Sequence, residues 1–171
     1  MPPSEIIKIT TNQRVQDDLK EIVKKQNYKQ YRLRHKASNL EAFHFRRDYL
    51  ISTLIANHGQ RPCCAHVLLD EEMTVAYQKG KRDGHYVVVI RDIKNQSSMS
   101  GNVAITEEEM DVWGAYWELR FHCFPNMDVD ENTRFFLTSD GGPVADAGKM
   151  FQSIQKKYPR DNQEPGTFIT K

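Results

Sequence analysis

The chain has 171 residues, 39% apolar and 27% charged, which is enough for one domain with a sizeable core. It lacks an apolar run of the ~20 residues that span a membrane and a basic-then-apolar leader, so we expect a nuclear or cytoplasmic protein without membrane contact. Three cysteines, two of them adjacent, argue against a disulfide framework and for a reducing compartment, while a net charge of +1 leaves the partners open.

The N-terminal region is basic, whereas the rest of the chain is acidic. Residues 1–62 hold 12 Lys and Arg against 6 Asp and Glu, and residues 63–171 hold 12 against 17. Apolar side chains at helical spacing predict a first helix over about residues 11–27. The overlapping basic stretch contains no acidic residue and six basic ones: Lys24, Lys25, Lys29, Arg32, Arg34 and Lys36. Such a stretch can bind nucleic-acid phosphates, or it can be a solvated helix end and linker.

A long second helix is predicted over about residues 40–57, and it ends at Gly59, where glycine suits a C-cap position. Its broad apolar side predicts a buried helix. Its polar side carries His44, Arg46 and Arg47. These three are either a ridge that faces DNA or, as we expect, the solvent-exposed side of the helix. We place the domain boundary at its start, between an N-terminal extension, residues 1–38, and the main domain, residues 39–171.

The next region predicts short helices and then a hairpin. Residues 62–78 are typical of one or two short helices, and Asp70 is a candidate N-cap for the second. A continuous β-branched run from Tyr86 to Ile90 predicts a strand that is covered on both faces. A polar turn and a return strand at Val103–Ile105 complete an antiparallel hairpin with Lys94 at its tip.

The last third of the chain is again mainly helical. The capping box Thr106–Glu109 opens a helix that runs to about His122. An acidic loop, a short buried segment at Phe135–Leu137 and a last helix to about Tyr158 follow. This order predicts a mostly α domain with one small antiparallel β-sheet, which is an α+β fold.

The order of these elements, with three stretches of sequence, resembles the catalytic domain of tyrosine recombinases. The stretches are RDYLISTLIANHGQRP, which includes Arg61, the hairpin that carries Lys94, and FFLTSDGGPV. They look most like crypton-derived recombinase domains, which are relics of transposons, and the resemblance spans about residues 40–157. It implies an integrase-like catalytic-core fold and a history in DNA recombination.

The chemistry of this family assigns roles to two cations. A tyrosine attacks a DNA phosphate, arginines donate bidentate hydrogen bonds to the phosphate oxygens, and a hairpin lysine protonates the leaving oxygen. The resemblance implies that Arg61 is the first of these arginines and Lys94 is the lysine. Structural roles remain open, because Arg61 could cap the preceding helix or pair with a carboxylate, and Lys94 could protect a sheet edge.

The match to this family is incomplete. The acidic residue expected three positions after the first arginine is replaced by Cys64, and the next acidic side chain is Asp70. The later His-x-x-Arg motif and the nucleophilic tyrosine are not found by Lys171. We therefore expect that the chain as given is not an enzyme, and that it is either a degenerate domain or a fragment.

We expect neither a metal nor a cofactor. Five side chains could suggest zinc: Cys63, Cys64, His66, His122 and Cys123. Adjacent cysteines rarely both reach one tetrahedral ion, and there is no Cys-x-x-Cys pair. Buried thiols and ordinary histidines are the expected alternative.

The favoured function is DNA binding, chiefly to phosphates and so with low sequence preference, through Arg61, Lys94 and the basic residues from Lys24 to Lys36. The first alternative is a protein-interaction or self-association module that retains only the fold and exposes an apolar patch. That patch would consist of Trp113, Tyr116, Trp117 and Phe121. The second alternative is a fragment of an active tyrosine recombinase that cleaves and rejoins DNA strands.

Overall fold

The computed structural model describes residues 36–91 and 101–157, together with Asp17. In chain order, the elements are α1 (Lys36–Ala56), α2 (Pro62–Val67), α3 (Asp70–Lys79), β1 (Tyr86–Ile90), β2 (Gly101–Ile105), α4 (Glu107–Cys123) and α5 (Ala147–Lys157). The described part of the chain is thus mostly helical with a small antiparallel sheet, which confirms the predicted α+β class.

Helix α1 lies at the centre of the described residues, where it packs against α4 and α5 and also contacts α2. Its side chains Phe43, Leu50 and Leu54 are at most 1% exposed, so the prediction of a buried helix is confirmed. After the helix, Gly59 adopts a φ of +62°, and the Gln60 N–H donates to the Leu54 carbonyl at 3.1 Å. The predicted glycine stop is therefore present.

The prediction that the basic residues of α1 face solvent is wrong. Arg46 and Arg47 are only 0% and 5% exposed, and His44 is half-buried. The physical reason is that α1 is covered on several sides. Arg46 donates to the Ala115 carbonyl of α4 at 3.3 Å, and Arg47 donates to the Leu137 carbonyl at 3.2 Å. Their burial also rules out a ridge of these arginines that faces DNA.

Asp70 does not cap α3 with its side chain, as the sequence predicts, but is the first residue of that helix. Its carboxylate pairs instead with Arg120 of α4 in the interior. The Leu69 N–H, which precedes the helix, donates to the Glu72 carboxylate at 3.0 Å. Glu72 also accepts from the Arg91 N–H at 2.7 Å, and so it joins the start of α3 to the end of β1.

Strands β1 and β2 form an antiparallel hairpin with one buried face and one exposed face. The inner side chains Val88, Ile90, Val103 and Ile105 are buried. The prediction that β1 is covered on both faces is wrong, because Val87 and Val89 are 36% and 44% exposed. Within residues 36–91 and 101–157 the sheet has only these two strands, and α3 packs against β1.

Helix α4 opens with the predicted capping box. The Thr106 hydroxyl accepts from the Glu109 N–H at 3.2 Å, and the Glu109 carboxylate accepts from the Thr106 N–H at 2.9 Å. Further along this helix, Trp113 and Tyr116 lie in the core against the Phe135–Leu137 segment. The predicted burial of that segment is confirmed, and it completes the hydrophobic core around α1 and α4.

Candidate functional site

Arg61 occupies the N-cap position of α2 and is exposed to solvent. Because Pro62 follows it, Arg61 is restricted to extended backbone, and its φ and ψ are −70° and 149°. Its carbonyl accepts from the Cys64 N–H at 2.9 Å. The backbone that carries this side chain is therefore held between the Gly59 turn and the first turn of α2.

The Arg61 side chain makes no hydrogen bond and no ion pair with any residue that the structure describes. The two structural roles considered for it, a helix cap and a partner for a carboxylate, are therefore not found among these residues. What remains is an exposed guanidinium on a fixed backbone, and such a group can donate to a phosphate without first breaking an internal contact.

Cys64, three positions after Arg61, is buried, whereas Cys63 is exposed. The Cys64 Sγ donates to the Gln60 side-chain oxygen at 3.5 Å, and burial raises the pKa of its thiol. Cys64 is therefore a neutral core group that cannot hold Arg61 as a carboxylate would. The next acidic side chain, Asp70, is already paired with Arg120.

Most of the other predicted DNA-binding residues lie outside the described residues. These are Lys24, Lys25, Lys29, Arg32, Arg34 and Lys94. Lys36 is the first residue of α1. The hairpin predicted to carry Lys94 is present, because β1 and β2 pair on either side of residues 92–100. The structure thus describes Arg61 and the two strands of the hairpin, and every contact with DNA stays a prediction.

Three polar contacts in the interior were not expected from the sequence. Arg120 pairs with Asp70, which lies 50 positions earlier in the chain. The Leu137 N–H donates to the Tyr116 hydroxyl at 3.1 Å, while the Leu137 carbonyl accepts from Arg47. Burial raises the pKa of Tyr116, so its phenol acts as a neutral hydrogen-bonding group. These contacts connect segments of the core, and none of them forms part of an exposed site.

The zinc alternative has no support in residues 36–91 and 101–157, where no three His, Cys, Asp or Glu side chains are grouped to hold a metal ion. The Nε2 of His66 accepts from the Ala147 N–H at 2.9 Å and so connects α2 to α5.

None of the described helices combines the length and the apolar character needed to cross a membrane.

No protein-family model, curated protein or solved structure matches this chain. The relationship to tyrosine recombinases therefore rests on the sequence stretches and the order of elements given above, and it stays a prediction. The described residues form a mostly helical fold with a two-stranded antiparallel sheet.

Proposed function

We propose that this domain binds duplex DNA through its phosphates, as a domain derived from a tyrosine recombinase that lacks the complete catalytic set. The observation that carries this proposal is the Arg61 side chain, which is exposed and has no partner among the described residues. It lies at the position where the resemblance requires the first phosphate-binding arginine. The hairpin that the resemblance requires for Lys94 supports the same proposal.

Part of the acidic charge at the start of α4 is compensated by other side chains. Two of the three acidic residues in the first turn of α4 already have cationic or imidazole partners. Glu107 pairs with Lys81 at 2.6 Å, and Glu109 contacts His58 at 3.1 Å. His58 is three positions before Arg61 in the chain. These contacts reduce the repulsion that the carboxylates would exert on a phosphate.

The fixed backbone adds to the expected affinity. The planar guanidinium can bind a phosphate bidentately, and a side chain on ordered backbone has less conformational freedom to lose on binding. The basic stretch from Lys24 to Lys36 supplies further cations in the same half of the chain. Contacts of this kind release counterions and act on any DNA sequence.

The proposal is tested by fluorescence anisotropy with a labelled duplex at ~50 mM salt. Arg61→Ala and Lys94→Ala should each weaken binding roughly 10-fold, the effect of losing one charge-assisted contact. The matched control is Lys149→Ala, since Lys149 has a side chain that is 79% exposed and only a local partner, Asp146. If all three variants bind equally well, Arg61 and Lys94 do not hold the phosphate and the proposal is wrong.

The protein-interaction alternative depends on an exposed aromatic patch that does not form. Trp113 and Tyr116 are 1% and 0% exposed, because they pack inside the core. Trp117 is half-buried, and only Phe121, at 44%, is substantially exposed. The four residues therefore do not make a continuous apolar surface.

A further inference from the structure

The start of α5 is held by a histidine of α2. The Ala147 N–H, at the first residue of α5, donates to the His66 Nε2 at 2.9 Å. A backbone N–H can only donate, so Nε2 must offer its lone pair, and the ring proton of the neutral imidazole must be on Nδ1. The contact therefore exists only while Nε2 is unprotonated.

The donor of this hydrogen bond lies in the interior. Ala147 is 0% exposed and belongs to the hydrophobic core. Water cannot replace His66 at an N–H in such a position unless the start of the helix moves. A buried donor that loses its acceptor costs free energy, and opening of the helix start relieves that cost.

The charge of a protonated His66 opposes the same contact. The N-terminus of a helix carries partial positive charge, so it repels a cationic imidazole that lies against the first residue of α5. Both effects have the same sign. The contact between α2 and α5 is favourable at neutral pH, and it is lost as the pH falls through the range where histidines titrate.

Helix α5 has few other anchors in the interior. Of its 11 residues, only Ala147 and Ile154 are buried. At its other end, the Lys157 ammonium lies 4.6 Å from the centre of the Phe45 ring of α1. Elements with few buried apolar side chains open locally at low cost. The start of α5 is therefore where loss of one hydrogen bond should have a visible effect.

The acidic residue that directly precedes α5 already has a partner. Asp146 pairs with Lys149 at 3.5 Å, and its carboxylate also accepts from the Lys149 N–H at 3.1 Å. The side chain of Asp146 is 51% exposed, so water screens its attraction for a protonated imidazole. Asp146 therefore does not replace the acceptor that protonation of His66 removes.

The other charged groups of the packed elements do not pair with His66. Helices α1 and α5 both contact α2. Among the described residues, the only contact of His66 is the one with Ala147. The remaining titratable or cationic side chains of the three helices, from residue 40 onward, are Glu41, His44, Arg46, Arg47, Asp48, Cys63, Cys64, Lys149, Lys156 and Lys157. Arg134 lies beside α2, where it donates to the Val67 carbonyl at 2.6 Å.

We propose that the contact between His66 and Ala147 is a pH-sensitive joint, which holds the start of α5 against α2 at neutral pH and releases it when His66 is protonated. The inference does not depend on the proposed DNA binding, and its test contains no DNA. It gives the fold a conformational response to mild acid at the start of one helix.

Two substitutions separate the acceptor from its titration. In His66→Gln, the side-chain amide oxygen is as many bonds from Cβ as Nε2 is, and it accepts at every pH. In His66→Asn, the amide oxygen is one bond closer to Cβ and does not reach the Ala147 N–H, so the contact is missing at every pH. Neither amide titrates, and both variants are neutral.

The measurement is hydrogen exchange of backbone amides by NMR at pH ~7.5, where histidines are mostly neutral, and at pH ~5.5, where they are mostly protonated. Each rate is divided into the rate of an unstructured peptide at the same pH. In the wild type, this protection of the Ala147 N–H should fall roughly 10-fold at the lower pH, the effect of one hydrogen bond. It should stay high in His66→Gln and low in His66→Asn at both pH values. The Ile154 N–H, further along α5, is the internal control and should keep its protection in the wild type.

A second test needs no variant. The nitrogen chemical shifts of the His66 ring at pH ~7.5 should show the proton on Nδ1 and none on Nε2. A proton on Nε2, an Ala147 N–H that keeps its protection at pH ~5.5, or the same loss in His66→Gln as in the wild type would each overturn the inference. If neither variant folds, wild-type exchange and the ring shifts decide the matter.

Discussion

At the scale of single residues, the buried cations Arg46 and Arg120 differ in how well their charges are compensated. Both are 0% exposed. Arg120 pairs with the Asp70 carboxylate, so its charge is compensated. Arg46 donates to the Ala115 carbonyl, its Nε and Nη2 have no hydrogen-bond partner among the described residues, and burial lowers its pKa to about 10. The same substitution at these two positions should therefore have opposite consequences.

Arg120→Met should lower the free energy of unfolding by ~3–5 kcal/mol, because it leaves the Asp70 carboxylate buried without a cation. Urea unfolding followed by circular dichroism measures this change. Adding Asp70→Asn to the same chain should recover part of the loss, since the buried charge is then removed. If Arg120→Met alone is as stable as the wild type, the ion pair between Arg120 and Asp70 does not stabilise the core.

Arg46→Met should keep the stability of the wild type or raise it, because a side chain of similar length replaces a cation that is poorly compensated. The measurement is the same urea unfolding, with Arg120→Met as the comparison. A loss as large as that of Arg120→Met would contradict this account and would mean that Arg46 has a strong partner.

At the scale of elements, the start of α4 is joined to the end of α1 through one carboxylate. Glu109 completes the capping box with Thr106 and also contacts His58 at 3.1 Å. Burial raises the pKa of Glu109, but the hydrogen bonds from His58 and Thr106 outweigh it and leave that pKa below its ordinary value of 4.5. The ionised form is therefore stabilised in the folded chain.

This shift has a definite sign for stability. Because folding lowers the pKa of Glu109, its contribution is fully present above pH 4.5 and is lost as the pH falls through the folded value. Glu109→Gln should lower the free energy of unfolding by ~1 kcal/mol at pH 7 and flatten its decrease below pH ~5. Urea unfolding at neutral and acid pH measures both effects. If the free energy of unfolding falls with pH in the same way for Glu109→Gln and the wild type, Glu109 is not the group whose lowered pKa stabilises the fold.

Local signals in the sequence predicted several elements correctly. The wrong predictions concern side chains whose burial or partner depends on contacts with distant parts of the chain. Gly59 and the Thr106–Glu109 box mark helix ends through their own backbone chemistry, so a short stretch suffices. The burial of Arg47 depends on Leu137, 90 positions away, and the role of Asp70 depends on Arg120. The burial of Arg120 was predictable from the sequence, because Arg120 lies one helical turn after Tyr116 and therefore on the apolar side of α4.

At the scale of the whole molecule, one hydrophobic core joins all the described elements around α1 and α4. It leaves Arg61 at the surface, and it leaves one face of the hairpin open. The position of Arg61 was predictable because it lies two positions after Gly59, the glycine that ends α1. The exposure of β1 was not, because a β-branched run predicts a strand without stating how many layers cover it.

The salt dependence of DNA binding tests the central claim most directly. The logarithm of the binding constant should fall linearly with the logarithm of the salt concentration, with a slope of about −0.9 for each phosphate neutralised. Arg61→Ala should make that slope shallower by ~0.9, whereas Lys149→Ala should leave it unchanged. A wild-type slope near zero, or one that Arg61→Ala does not alter, would contradict the claim that Arg61 holds a DNA phosphate.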